Sequence, residues 1–257
     1  MSTEQQHTQR LQLNQLHWSF WVGVSFFVAV IIGMFSLAWY LTNTMSAEES
    51  VPVTSIVISG EMHYTVQRDI ETAIETVNLG NFFTVDVNAV QEQVSALPWV
   101  YSVSVRKKWP NELKIYVVDQ IPVAFWNGDF LINHLGDAFQ ADKSRVTHAL
   151  PALYGPEGSE NVALKSYRDF NGLLDYASLS IDELVLSERY SWQLILNDGV
   201  TLNLGREKGG ERIQRFIDVY PEIKAHKKET EQVDYVDLRY DTGLAVGWKP
   251  QESKERA

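Results

Sequence analysis

The sequence of 257 residues contains no cysteine. That excludes disulfides, haem thiolates, thiolate zinc sites and cysteine nucleophiles, but it does not fix the compartment. Basic side chains are also scarce: 22 Lys and Arg stand against 33 Asp and Glu, a formal net charge of −11. Such a surface repels phosphate backbones, so no nucleic-acid partner is expected. The six histidines (His7, His17, His63, His134, His148 and His226) lack any ligand spacing such as H-x-x-x-H, and each reads as a solvated or packed side chain. A nucleophile elbow G-x-S-x-G is missing, and residues 205–210 hold neither a P-loop nor a dinucleotide fingerprint. No cofactor, metal or small-molecule substrate is expected. Repeats and low-complexity tracts are absent as well.

What is present begins with 20-FWVGVSFFVAVIIGMFSLAWYL-41, 22 residues without a charge. As a helix it would be about 33 Å long, the thickness of a bilayer core. Trp18 and Trp21 at one end and Trp39 and Tyr40 at the other are placed as interfacial belts. The run is too long for a signal peptide and no A-x-A site follows, so residues 18–41 are expected to be an uncleaved transmembrane helix. Arg10 is the one basic residue before it, and the 26 residues after Leu41 contain no Lys or Arg. That asymmetry places the 1–17 tail in the cytoplasm and everything beyond residue 42 outside.

Residues 42–52 form a polar linker ending in proline, and the rest reads as an α+β protein. A strand at 53–59 is followed by helices at 65–77 and 86–97. The first carries Val66, Ile70, Ala73, Ile74 and Val77 on one face; the second carries Val87, Val90, Val94 and Leu97, with Asp86 as N-cap. Strands at 100–108 and 113–120 alternate with period two. The module therefore runs β-α-α-β-β over 53–119. After Pro122 a β-rich domain is expected over 120–249, with strands at 123–127 and 130–136 and a loop at 149–158. A helix at 160–178 would bury Val162, Tyr167, Phe170, Leu174 and Ala177. A hairpin at 191–205 turns at Asn197-Asp198-Gly199, and a last helix at 211–226 is bent or ended by Pro221. Residues 250–257 are expected to be a disordered tail.

Three sets of residues mimic catalytic motifs. Ser104-x-x-Lys107, Ser159-Glu-Asn161 and Lys208-Gly-Gly210 follow the order of the penicillin-binding motifs. That chemistry needs serine at a helix start, with lysine one turn on. Ser104 falls in an alternating strand, so no enzyme is expected. The acids Glu48, Glu49, Asp182, Glu183, Asp237 and Asp241 read as solvated turn and cap residues. The basic cluster 106-RKK-108 reads as a solvated face.

The stretch 233-VDYVDLRYDTGLAVGW-248 reads as two strands around an Asp241-Thr242-Gly243 turn. Val233, Tyr235, Asp237 and Arg239 would share one face, and Asp234, Val236, Leu238 and Tyr240 the other. Beyond the turn Leu244, Val246 and Trp248 alternate with Ala245 and Gly247. Two readings stand side by side. The last strand completes the sheet, or it is an open edge to which a partner strand adds through main-chain hydrogen bonds. In the second, Ala245 and Gly247 let a partner backbone come close and Arg239 offers its fork to a partner carboxylate, while Tyr240 and Trp248 are residue types that anchor interfaces.

The segments 60-GEMHYT-65, 98-PWVYSVSVRKKWPNELKI-115, 152-ALYGPEGS-159, 191-SWQL-194, 201-TLNLGR-206 and 235-YVDLRYDTG-243 resemble the FtsQ/DivIB cell-division family across nearly the whole chain. The resemblance implies a POTRA domain at about 53–119 and a single-pass inner-membrane protein of a Gram-negative bacterium. It implies a scaffold of the divisome at the septum, which recruits the FtsB–FtsL pair and links early to late division proteins. It also implies that Arg239, Tyr240, Thr242, Gly243, Leu244, Val246, Gly247 and Trp248 belong to the partner-binding region. The rival readings are a POTRA-bearing secretion or assembly factor, and a periplasmic cell-wall enzyme.

Overall fold

The structure is a computed structural model that describes residues 4–46, 52–226 and 230–251; within the first helix the side chains of 18–44 are described. That helix, α1 (Glu4–Ser46), extends the apolar run at both ends. Helix propagation adds one hydrogen bond per residue once a turn exists, so the polar head continues the helix that the apolar segment nucleates. Its stretch Trp18–Thr44 is long and apolar enough to cross a membrane.

The chain divides into two compact units, one of residues 1–60, 67–94 and 103–117, the other of residues 61–66, 95–102 and 118–257. After α1 the β-α-α-β-β order is β1 (Ser55–Glu61), α2 (Gln67–Ile74), α3 (Val87–Ser95), β2 (Val100–Lys108) and β3 (Glu112–Asp119). The three strands form one sheet in the order β1-β3-β2. Ile70 and Ile74 of α2 and Val90 and Val94 of α3 are buried, as are Leu113, Ile115 and Val117 of β3. Asp86 caps α3 through the N–H groups of Asn88 and Ala89, at 2.9 and 3.3 Å. Helix α2 starts two residues later than the periodicity suggests. The Asp119 carboxylate accepts the N–H groups of His63, Tyr64 and Thr65 at 2.7, 2.7 and 2.9 Å, which holds that segment as a turn. Val66 is exposed rather than in the core.

The remainder carries β4 (Pro122–Trp126), β5 (Phe130–Asn133), β6 (Ala138–Phe139), β7 (Ala152–Tyr154), α4 (Glu160–Asp175), β8 (Ile181–Leu186), β9 (Trp192–Leu196), β10 (Thr201–Gly205), α5 (Gly209–Ala225), β11 (Glu231–Asp237) and β12 (Ala245–Pro250). They form a nine-stranded sheet in the order β12-β11-β10-β9-β8-β7-β4-β5-β6. Its two helices are crossover connections. Helix α4 joins the parallel pair β7 and β8, and α5 joins the parallel pair β10 and β11. Parallel neighbours need such a crossover, which is why the helices sit between strands in the sequence.

Four expectations for this domain are corrected. The segment 149–158 is not all loop, because β7 lies inside the sheet with Leu153 fully buried. Three residues are too few for a period to show. Pro221 does not end α5, which continues to Ala225. On α4, Ala163 and Leu164 are buried beside Phe170 and Leu174, while Val162 is exposed. The core joins these to Ile213, Phe216 and Tyr220 of α5 and to Leu184, Leu194, Leu202, Val233 and Val236 of the sheet. The expected disordered tail begins with ordered residues, since β12 includes Pro250 and the Gln251 N–H donates to Thr230 O at 2.9 Å; 252–257 lie outside the described residues.

Candidate strand-addition edge

Strand β12 has one strand neighbour among the described residues, β11, and so forms an edge of the nine-stranded sheet. The two pair antiparallel, with Val236 opposite Val246 and Asp237 opposite Ala245. The register shifts between Val233 and Tyr235, where β11 carries an extra residue. A bulge of this kind breaks alternation. Val233, Val236 and Leu238 are all buried, so Val233 does not share the exposed face of Tyr235 as strict period two requires.

The connection to β12 is longer than a tight turn and spans residues 238–244. Leu238 prolongs the parallel ladder, its N–H donating to Asn203 O at 2.9 Å. Two arginines of α5 hold the first half of this loop. Arg215 donates to the carbonyl oxygens of Leu238 (3.0 Å), Tyr240 (3.0 Å) and Asp241 (2.7 Å). Arg212 donates to Arg239 O at 3.2 Å and also to Leu204 O. A planar guanidinium presents several donors in fixed directions and can fasten several carbonyls at once. Neither arginine is found by reading strands and turns. The available signal is their spacing of three in 211-ERIQR-215, which puts both on the flank of the stripe formed by Ile213 and Phe216.

Arg239 is engaged within the chain. Its Nε lies 2.9 Å from Asp237 Oδ1 and its Nη2 2.6 Å from Asp237 Oδ2. The Arg239 guanidinium holds the Asp237 carboxyl below the ordinary carboxylate value, and that carboxylate pushes the guanidinium further up. Asp237 is buried, which accounts for an acid in a strand: its charge is paired. The stem of Arg239 lies over Gly205, whose φ is +73° and whose missing Cβ would stand 3.2 Å from Arg239 Cγ. That Cβ would also stand 2.9 Å from Arg212 Nη1, so any larger residue at 205 would push the Arg239 stem and the Arg212 guanidinium aside.

The other sequence-derived residues sit together on this edge. Tyr240 is 57 % exposed and Trp248 38 %, while Thr242 and Gly243 are exposed at the turn. Leu244 and Val246 pack against the core from its margin. Gly247 has a different use from the one expected. A Cβ there would fall 2.2 Å from Tyr235 Cε1, so the Tyr235 ring on the neighbouring strand already fills that space.

The enzyme-like residues are engaged elsewhere. Ser104 lies in β2, and Lys107 Nζ donates to Phe83 O at 2.9 Å. Ser159 Oγ donates to Pro156 O at 2.6 Å, and Lys208, with φ +58°, enters α5 beside Glu211 at 3.8 Å.

Comparison with known proteins gives this arrangement a family. The family model described as "Cell division protein FtsQ/DivIB, C-terminal" matches residues 124–239, and the model described as "POTRA domain, FtsQ-type" matches residues 51–120. The chain is similar to "Cell division protein FtsQ" of Shewanella oneidensis, 38% identical over 247 residues, covering 96% of this chain and 93% of the relative. The protein of the same description from Vibrio cholerae is 38% identical over 231 residues, 90% of this chain and 88% of the relative. The Escherichia coli protein is 38% identical over 237 residues, 91% and 86%. With a POTRA domain, a β-rich domain ending on β12 and relatives that align over nearly its whole length, the chain belongs to the FtsQ/DivIB cell-division family.

Proposed function

We propose that this chain is a membrane-anchored scaffold of the division machinery, with no catalytic chemistry of its own, which recruits the FtsB–FtsL pair by letting a strand of FtsB add to β12. In this reading α1 crosses the inner membrane once with its N-terminus in the cytoplasm, and the POTRA and β domains work in the periplasm at the septum. The absence of Lys and Arg from the 26 residues after Leu41, against Arg10 before the apolar run, supports the orientation.

One observation carries the proposal: β12 is an edge strand reached through a loop that α5 holds in place before any partner arrives. A fixed edge lowers the ordering cost of strand addition. Beside it Lys208, Glu211, Arg212, Arg215, Tyr240 and Asp241 line a groove, which gives a partner side chains to recognise as well as a backbone. Asp237 takes two of the five N–H donors of Arg239, so donors remain for an acidic partner residue.

Successive residues of a strand point their N–H groups to opposite sides. Of Ala245 and Val246, one therefore directs its N–H toward β11 and the other outward. Ala245→Pro and Val246→Pro, made separately in the full chain, should both reduce capture of FtsB in a pull-down, with only one of them also lowering thermal stability. If both variants fold and still capture FtsB as the parent does, strand addition at β12 is wrong.

A further inference from the structure

Three pieces of chain meet where the POTRA domain begins. Pro52 pairs with Asn81 in an isolated antiparallel bridge. The Thr54 N–H donates to Asn111 O at 3.1 Å, and Asn111 Nδ2 donates back to Thr54 Oγ1 at 2.8 Å. Lys107 Nζ then ties the hairpin to the 80–84 loop through Phe83 O, at 2.9 Å. The tip of the β2–β3 hairpin and the loop between α2 and α3 therefore flank the segment that leads away from α1.

Those two loops carry surface of an unusual kind for this chain. Trp109 at the hairpin tip is 77 % exposed and Phe83 on the neighbouring loop is 40 % exposed. Arg106, Lys107 and Lys108 precede the tryptophan directly, and all three are exposed. Glu112 meets this group, pairing with Lys108 at 2.8 Å. A net charge of −11 over the whole chain makes three consecutive cations beside exposed aromatic rings a local reversal.

Aromatic side chains with neighbouring Lys and Arg settle at the headgroup level of a bilayer, where rings meet the acyl boundary and cations meet lipid phosphates. Chain connectivity places such a surface within reach. Eight residues lead from Ser46 at the end of α1 to Thr54, which caps that separation at about 28 Å even if fully extended. Thr54 is in turn bonded to the hairpin tip. An acidic peptide could also neutralise the cations, but it would not account for two exposed rings at the end of the domain nearest its anchor.

We infer that this end of the POTRA domain docks on the adjoining leaflet beside α1, with Trp109 and Phe83 seated among the headgroups and Arg106 and Lys108 on the phosphates of its anionic lipids. The inference rests on the membrane-anchored reading of α1. It makes the domain a second, peripheral contact with the membrane.

The absence of native cysteine allows a clean test. Full-length chains with Trp109→Cys, Ile31→Cys or Tyr176→Cys are labelled with the fluorophore NBD and placed in nanodiscs. The discs contain phosphatidylcholine alone or with phosphatidylglycerol. The label at 109 should be blue-shifted and quenched by brominated lipid in the anionic discs and return to aqueous emission in the neutral ones. Arg106→Gln with Lys108→Gln should abolish the shift. A label at 176, where the native side chain is 90 % exposed, should stay aqueous throughout. Aqueous emission at 109 in anionic discs, with lipid quenching at 31, overturns the docking and leaves the anchor standing. Aqueous emission at 31 overturns both. A label at 109 shielded from lipid and from aqueous iodide alike means a protein contact and also overturns it, and equal quenching in both lipids removes the role given to the cations.

Discussion

Arg215→Ala is the substitution that most directly probes the edge. Arg215 makes three charge-assisted hydrogen bonds to the carbonyls of Leu238, Tyr240 and Asp241. Bonds to charged groups contribute about 1.5–3 kcal/mol each where water cannot replace them. Tyr240 and Asp241 are exposed, so water can take over at their carbonyls, whereas Leu238 is fully buried. The Arg215 Nε–H is itself buried, with no hydrogen-bond acceptor among the described residues, a cost of about 1–3 kcal/mol that alanine removes. The two effects leave a net global destabilisation of about 1 kcal/mol, a fall in Tm of roughly 2–4 °C. The same loss falls on local opening of the seven-residue loop, where about 1 kcal/mol raises the opening constant about fivefold. Amide hydrogen exchange at residues 239–246 should therefore accelerate about fivefold, and affinity for an FtsB peptide should fall with it. Arg215→Lys keeps the charge but lacks the fork, so it should fall between. Unchanged exchange at 239–246 in the alanine variant would refute the claim that α5 holds the edge.

Two further outcomes are expected. The folded-state pKa of Asp237 is depressed, chiefly by its hydrogen bond to Arg239, so the stability it contributes is present above its ordinary value of 3.8 and is lost as pH falls below it. Asp237→Asn should flatten that acid limb in denaturant melts at pH 2–5; an unchanged limb means that the pair is not coupled to folding. Gly247→Ala should displace the Tyr235 ring, destabilising by about 1 kcal/mol, and Tyr235→Ala should relieve most of that penalty in a double-mutant cycle. Additive effects would show that ring and glycine are independent.

Much of the fold is legible because long apolar patterns are local. The uncharged run 20–41, the stripes of α2 and α3, and the alternation in β2, β3, β9 and β10 each announce their element. What escapes is non-local. β7 is three residues long, and it becomes a strand through its parallel partners β4 and β8, which no window around residue 153 contains. The bulge between Val233 and Tyr235 arises from pairing with β12, so period two misassigns one face of β11. At the edge itself the residue types were readable but not their bonds. Arg239 looks like a free fork until Asp237 is placed against it, and Gly247 looks like open space until the Tyr235 ring is found there. The clamp of Arg212 and Arg215 links a helix to a loop more than twenty residues away; the helix segment shows that both flank the buried stripe, but not which carbonyls they hold.

The two ends of the nine-stranded sheet differ in a way that limits what can be built from it. At one end stands the six-residue β12, at the other the two-residue β6. An open-ended fibre requires that a long edge of one copy meet a comparable edge of the next, and β6 offers too few backbone groups to serve. In the proposed reading, this chain's own sheet therefore offers one place for strand addition: among the described residues, no second edge of comparable length is left once β12 is covered. A protein gathered at high local density can keep an open strand without polymerising through it, because the opposite end of the sheet has almost nothing to pair with.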